Sequence, residues 1–138
     1  MDCLFNLQIP IPTHSKIVIP PTSKTFINGF SRHYSEKIPE NLNSVGISKE
    51  KFIFCVDQIN AMISFKYPCQ CSILASYLCC LCSFGLCFCI PKKLGMDDLE
   101  KNITQLVKQL NNDCLKENGF ELKFFRKYST SWFELSRI

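Results

Sequence analysis

Residues 67–91 read YPCQCSILASYLCCLCSFGLCFCIP, and the reading of this stretch decides the architecture on either side of it. It holds no charged residue and seven of the chain's ten cysteines. As a helix, residues 71–90 would reach ~30 Å, enough for the hydrocarbon core of a bilayer. Pro68, Gly85 and several serines depart from the Leu- or Val-rich make-up of an ordinary spanning helix. Lys66 closes one end, and Lys92 and Lys93 close the other.

Charge on the two sides is balanced. Up to Lys66 there are seven Lys/Arg against five Asp/Glu, and from Lys92 onward nine against seven. The positive-inside bias therefore gives no direction for a single crossing. The pattern fits a segment whose ends lie on one face of a membrane, either a re-entrant hairpin turning near Gly85 or a surface segment held by acyl chains.

Three roles compete for the cysteines. A secreted disulfide framework follows a signal peptide, and the opening MDCLFNLQIPIPTHSK lacks a basic n-region and an unbroken apolar core. The thiols are thus expected in the reducing cytosol. A zinc site needs four converging ligands, usually from two knuckles. Here Cys79 and Cys82 form the one CxxC pair. Steps of ~100° per residue along a helix put Cys69, Cys80 and Cys87 opposite Cys71, Cys82 and Cys89. S-acylation asks for less geometry: accessible thiols beside an apolar membrane-surface segment. One acyl chain binds marginally and two or more anchor stably. Core packing of cysteine as a small hydrophobe suits Cys55 and Cys114 better than it suits a cluster of seven. Acylation is the expectation, with no cofactor and no metal.

Outward from this stretch the chain has folding signals. Ser48 can cap a helix carrying Phe52, Cys55, Val56, Ile59, Met62 and Ile63 on one stripe, ending near Tyr67-Pro68. Downstream, Asp97 with Glu100 resembles an acidic capping box. Leu99, Ile103, Leu106, Val107, Leu110 and Cys114 then follow at helical spacing, and Gly119 closes that helix. Phe120-Glu-Leu-Lys-Phe124 alternates like a strand, Ser129-Thr-Ser131 offers a turn, and Trp132–Ile138 reads as a second strand. Lys16–Ile19 is a candidate edge strand ended by Pro20-Pro21. The expected fold is α+β. Two main amphipathic helices flank a cysteine-rich hydrophobic membrane-associated segment, with a small antiparallel sheet or hairpin at the C-terminus. Residues 1–15 form a tail and 16–138 a single domain containing the segment 67–91.

Little here points to catalysis or nucleic acid. The two histidines, His14 and His33, adjoin no nucleophile motif, the five glycines are scattered singly, and a net charge of +4 is modest and evenly spread. Asp97-Asp98 is explained by its place at a helix start. Twelve phenylalanines give more apolar surface than so small a core needs, so part of it is available to a protein or lipid partner.

The order of the pieces over about residues 26 to 138 resembles the cysteine-rich hydrophobic (CHIC) family and the related golgin subfamily A member 7 family, a palmitoyltransferase accessory-factor superfamily. The matching features are Phe30 through Pro39 to Leu42, then Ile47 to Phe52 leading to Ile59-Asn60. The run CCLCSFGLCFCIPKK from Cys79 follows, then Leu99 to Gly119 with Leu110-Asn111 and Gly119-Phe120. The resemblance implies a palmitoylated, non-catalytic protein on the cytosolic face of Golgi, endoplasmic reticulum, vesicle or plasma membranes. In the golgin branch the partner is a DHHC-type palmitoyltransferase; in the CHIC branch the outcome is vesicle association. By position the acylated residues map onto Cys79, Cys80 and Cys82, with Cys87 and Cys89 added and Cys69 and Cys71 available. Phe52, Val56, Ile59, Asn60, Leu106 and Leu110 are the candidate partner-binding set.

Overall fold

Every residue from Thr130 to Leu135 is buried, on both faces of the strand they form, and that strand is the middle one of a sheet. The computed structural model describes residues 9–23, 29–67, 75, 78, 79, 82, 97–127 and 130–138. Its strands are β1 (Lys16–Ile19), β2 (Phe120–Lys127) and β3 (Thr130–Arg137), all antiparallel in the order β1-β3-β2. Among the described residues the α-helices with assigned bounds are α1 (Leu42–Val45), α2 (Lys49–Lys66) and α3 (Asp97–Leu110), all before β2. The α+β expectation and the antiparallel sheet are thus observed, as is the place of Lys16–Ile19 at a sheet edge.

Period-2 geometry sorts the sheet residues into two faces. Ile17, Ile19, Leu122, Phe133 and Leu135 lie inward with Phe30 and Tyr34. On the outer face Lys16 pairs with Glu134 at 2.8 Å, Trp132 Nε1 donates to the same carboxylate at 2.9 Å, and Phe125 stacks on Trp132. That polar and aromatic cover keeps the outer side of β3 from water. Ser131, expected in a turn, is a β3 residue whose hydroxyl bonds the Tyr34 hydroxyl. The register pairs Lys127 with Thr130, which leaves two residues between the strands.

The helices follow their sequence signals closely. The Ser48 side chain accepts from Lys51 N, and α2 stops at Tyr67 in extended backbone, as the following Pro68 requires. Its inward stripe is Phe52, Cys55, Val56, Ile59 and Ile63, packed against Leu99, Ile103, Val107 and Leu110 of α3. Asp97 is the first residue of α3 rather than a cap outside it, and with Asp98 and Glu100 it brings three carboxylates to the positive helix end.

After Leu110 the helix changes pitch. Asn111–Leu115 forms a π turn and Lys116–Asn118 a 3-10 turn, before Gly119 at φ 75° ends the run. The wider turn advances the inward position by one residue. Leu115 therefore enters the core where the α-helical period predicts Cys114, which is half-buried. α1, a single turn that no periodic stripe marks, ends on Gly46 at φ 87°, a backbone conformation that favours glycine.

Hydrogen-bonded structure begins before β1. Thr13 and Lys16 exchange backbone bonds, and Asn41 Nδ2 donates to the Thr13 carbonyl at 2.7 Å. Residues 13–15, expected in the tail, are therefore tied to the body. Beyond β1 the chain stays paired: Ser35 N donates to the Pro20 carbonyl and Thr22 N to that of His33.

Candidate functional site

The segment 67–91 is the site the sequence singles out, and its structure is described at few positions. Ala75, Leu78, Cys79 and Cys82 have helical backbone, and all four are solvent-exposed. Cys69, Cys71, Cys80, Cys87 and Cys89 lie outside the described residues, as does the turn expected near Gly85. Among the described residues no helix is long and apolar enough to cross a membrane, and no group of three or more His, Cys, Asp and Glu side chains is placed to hold a metal ion.

The candidate partner-binding residues are placed inward. Phe52, Val56, Ile59 and Leu110 are buried in the chain's own core, and Leu106 packs half-buried against it. The stripe expected to meet a partner is consumed by α2, α3 and the sheet packing together. Asn60 is buried as well, and its amide is spent on Tyr34: Oδ1 accepts from Tyr34 N at 2.9 Å, and Nδ2 donates to Tyr34 O at 3.1 Å. A third bond from Nδ2 reaches Glu36 Oε1 at 3.1 Å. Asn60 is in effect a strand partner mounted on a helix.

The surface of α2 instead presents Ile53, Phe54 and Phe65. Phe54 and Phe65 are eleven positions apart, about three turns, and so share one side of the helix. Phe65 is 83% exposed, with Lys66 Nζ 5.5 Å from its ring centroid. These residues fall off the core stripe, and large aromatics out of phase with the apolar period were the signal that could have found them. At the end of α2, the Arg32 guanidinium lies 5.0 Å over the Tyr67 ring. Burial raises the Tyr67 pKa, and the Arg32 charge acts against that rise.

A second feature joins α2 to the turns after α3. Glu50, Phe54 and Cys55 face Asp113, Cys114 and Glu117 across an open groove of about 510 Å³. Lys51 and Asn118 close one part of it through a 2.8 Å bond from Nζ to Oδ1. Burial first, and then the neighbouring Cys114, pushes the Cys55 thiol up to about 11. The Cys55 thiol therefore stays protonated near neutral pH, and the rim of the groove carries three carboxylates.

His33 bonds Thr22 through Nδ1 at 3.2 Å and Glu36 through Nε2 at 3.1 Å, in an exposed loop pairing that explains it structurally. Comparison with protein-family models, with curated proteins and with solved structures finds no match for this chain.

Proposed function

We propose that this chain is a non-catalytic, S-acylated adaptor held on the cytosolic face of a membrane, acting as an accessory subunit of a DHHC-type palmitoyltransferase. The observation that carries the membrane part is the uncharged, seven-thiol run that follows α2 directly. Support comes from the exposure of Cys79 and Cys82 and from the Phe65–Lys66 pair at the helix end, an aromatic ring and a cation suited to a lipid interface. The partner class rests on the family resemblance alone. Acylation of two or more of these thiols would convert marginal into stable attachment.

The test is replacement of Cys79, Cys80 and Cys82 together by Ser in cells. Loss of hydroxylamine-sensitive acyl labelling and release to the soluble fraction are expected. Retention of both the label and the membrane partition overturns the reading. Co-purification separates the remaining outcomes. A DHHC-type enzyme recovered with the chain supports the accessory role, and acylated chain without one indicates a lipid-anchored vesicle protein of the CHIC kind. Stoichiometric zinc without acyl groups would indicate a thiolate-metal protein.

A further inference from the structure

The groove between α2 and the π and 3-10 turns has a chemistry that neither folding nor acylation uses. Its floor is apolar, formed by Phe54, which stays 48% exposed, with Cys55 and Cys114 beside it. Its rim carries Glu50, Asp113 and Glu117, none of which enters an ion pair among the described residues. Among the described residues Lys51 is the single cation lining it, so this lining is net negative in a chain whose overall charge is +4.

Two of these carboxylates stand where a helix tolerates them poorly. Asp113 and Glu117 occupy the carboxyl-terminal turns of the helical run, the negative end of its dipole. They are also four residues apart, a spacing at which like charges on helical turns repel. Glu50, in contrast, sits in the first turn of α2 and is favoured there. An apolar floor with an uncompensated acidic rim is complementary to a segment that combines an apolar side chain with flanking cations.

We propose that this groove docks a cationic amphipathic segment of a partner protein, seating one apolar side chain against Phe54 and placing its Lys or Arg residues at Glu50, Asp113 and Glu117. This surface involves none of the thiols in 69–89, and so it stands or falls separately from the acylation reading. It also differs from the buried helix stripe, since the rim side chains already face solvent.

The experiment uses the full chain, in solution or on vesicles of zwitterionic lipid according to where it partitions, with buffer or vesicles alone as the reference. The probe is a synthetic peptide of alternating Lys and Leu pairs carrying a diazirine on one Leu. Its Glu-Leu counterpart and a neutral Gln-Leu version serve as controls. Crosslinks from the cationic peptide are expected within residues 50–55 and 113–118, and not from the other two. Combined Glu50→Gln, Asp113→Asn and Glu117→Gln substitution should weaken binding about tenfold, as the sum of three screened surface pairs. Phe54→Ser should weaken it separately with the charges intact. Equal labelling by the neutral peptide, crosslinks elsewhere, or binding unchanged in the triple variant would overturn the proposal. Crosslinks between two copies of this chain would assign the groove to self-association instead, and would overturn it as well.

Discussion

The side-chain amide of Asn111 closes both hydrogen-bonding groups of the Leu122 backbone, donating to its carbonyl at 2.9 Å and accepting from its N–H at 2.7 Å. Asn60 does the same for Tyr34. Each carboxamide takes the place a neighbouring strand would occupy, and each ties a helical position to an extended one. Both are buried, so the backbone groups they serve have no water to fall back on.

Replacing Asn111 with Leu should therefore cost about 2–3 kcal/mol, since it orphans a buried donor and acceptor at once. Asn112→Leu, one position along and exposed, should change stability by less than about 0.5 kcal/mol. Chemical denaturation of the two variants makes the comparison. Equal effects would mean the amide clamp is not what fixes the π turn against β2.

Phe52 and Phe65 lie on opposite sides of the core boundary of one helix. Phe52→Ala should destabilise by about 3–5 kcal/mol through a cavity in the core. Phe65→Ala should leave the unfolding midpoint within the range of ordinary surface changes. Thermal melts of both variants decide this, and a large loss at Phe65 would mean something in the chain covers it.

Under the membrane reading, Phe65 has a second consequence. Burying a phenylalanine in an interface contributes about 1.5–3 kcal/mol, so Phe65→Ser should weaken partition of the unacylated chain onto vesicles by roughly tenfold or more. Vesicle co-sedimentation of the chain with and without the substitution measures it. Unchanged partition, with the fold intact, would remove Phe65 from the contact surface.

Alkaline stability should fall in two overlapping steps. Burial raises the Cys55 thiol from 9.0 to about 11 and the Tyr34 hydroxyl from 10.0 to about 12. Both groups are held neutral by the fold and lose a proton more readily once unfolded. The stability they contribute is complete below the unfolded pKa and is withdrawn as pH climbs through the folded one. Each shift corresponds to stability on the order of 2 kcal/mol, lost across pH 9–11 for Cys55 and 10–12 for Tyr34. Denaturation at stepped pH should show the decline, and Cys55→Val should remove its lower part. A flat profile to pH 11 in the parent chain would contradict the burial argument.

The main elements were legible because local signals agreed with one another. Ser48, the stripe from Phe52 to Ile63, and the Tyr67-Pro68 stop mark α2 within a residue of its observed ends. Gly119 marks the end of the second helical run for the conformational reason expected. What the sequence hid depends on contacts far apart in the chain. Ser131 looks like a turn residue until Tyr34 supplies a partner for its hydroxyl. Leu115 replaces Cys114 in the core only because the π turn shifts the phase. The same holds for the surface features. The groove needs residues near 50 and near 115 brought together, and no local pattern announces that. Asn60 stands in the Ile59-Asn60 motif, and its side chain is the clamp on Tyr34. Periodicity reads which positions can be buried. It does not say whether the covering surface comes from the chain itself or from a partner.

The order β1-β3-β2 has a consequence for biosynthesis. The middle strand is translated after every other described element, so β1 waits for a neighbour more than a hundred residues away. A pairing so distant in sequence is slow to close and leaves apolar surface open meanwhile. The thiol-rich run leaves the ribosome before the body that carries it can be completed. A nascent chain of this design stands to gain from a chaperone or an early encounter with lipid, and a premature stop that removed β3 would leave the whole core without its centre.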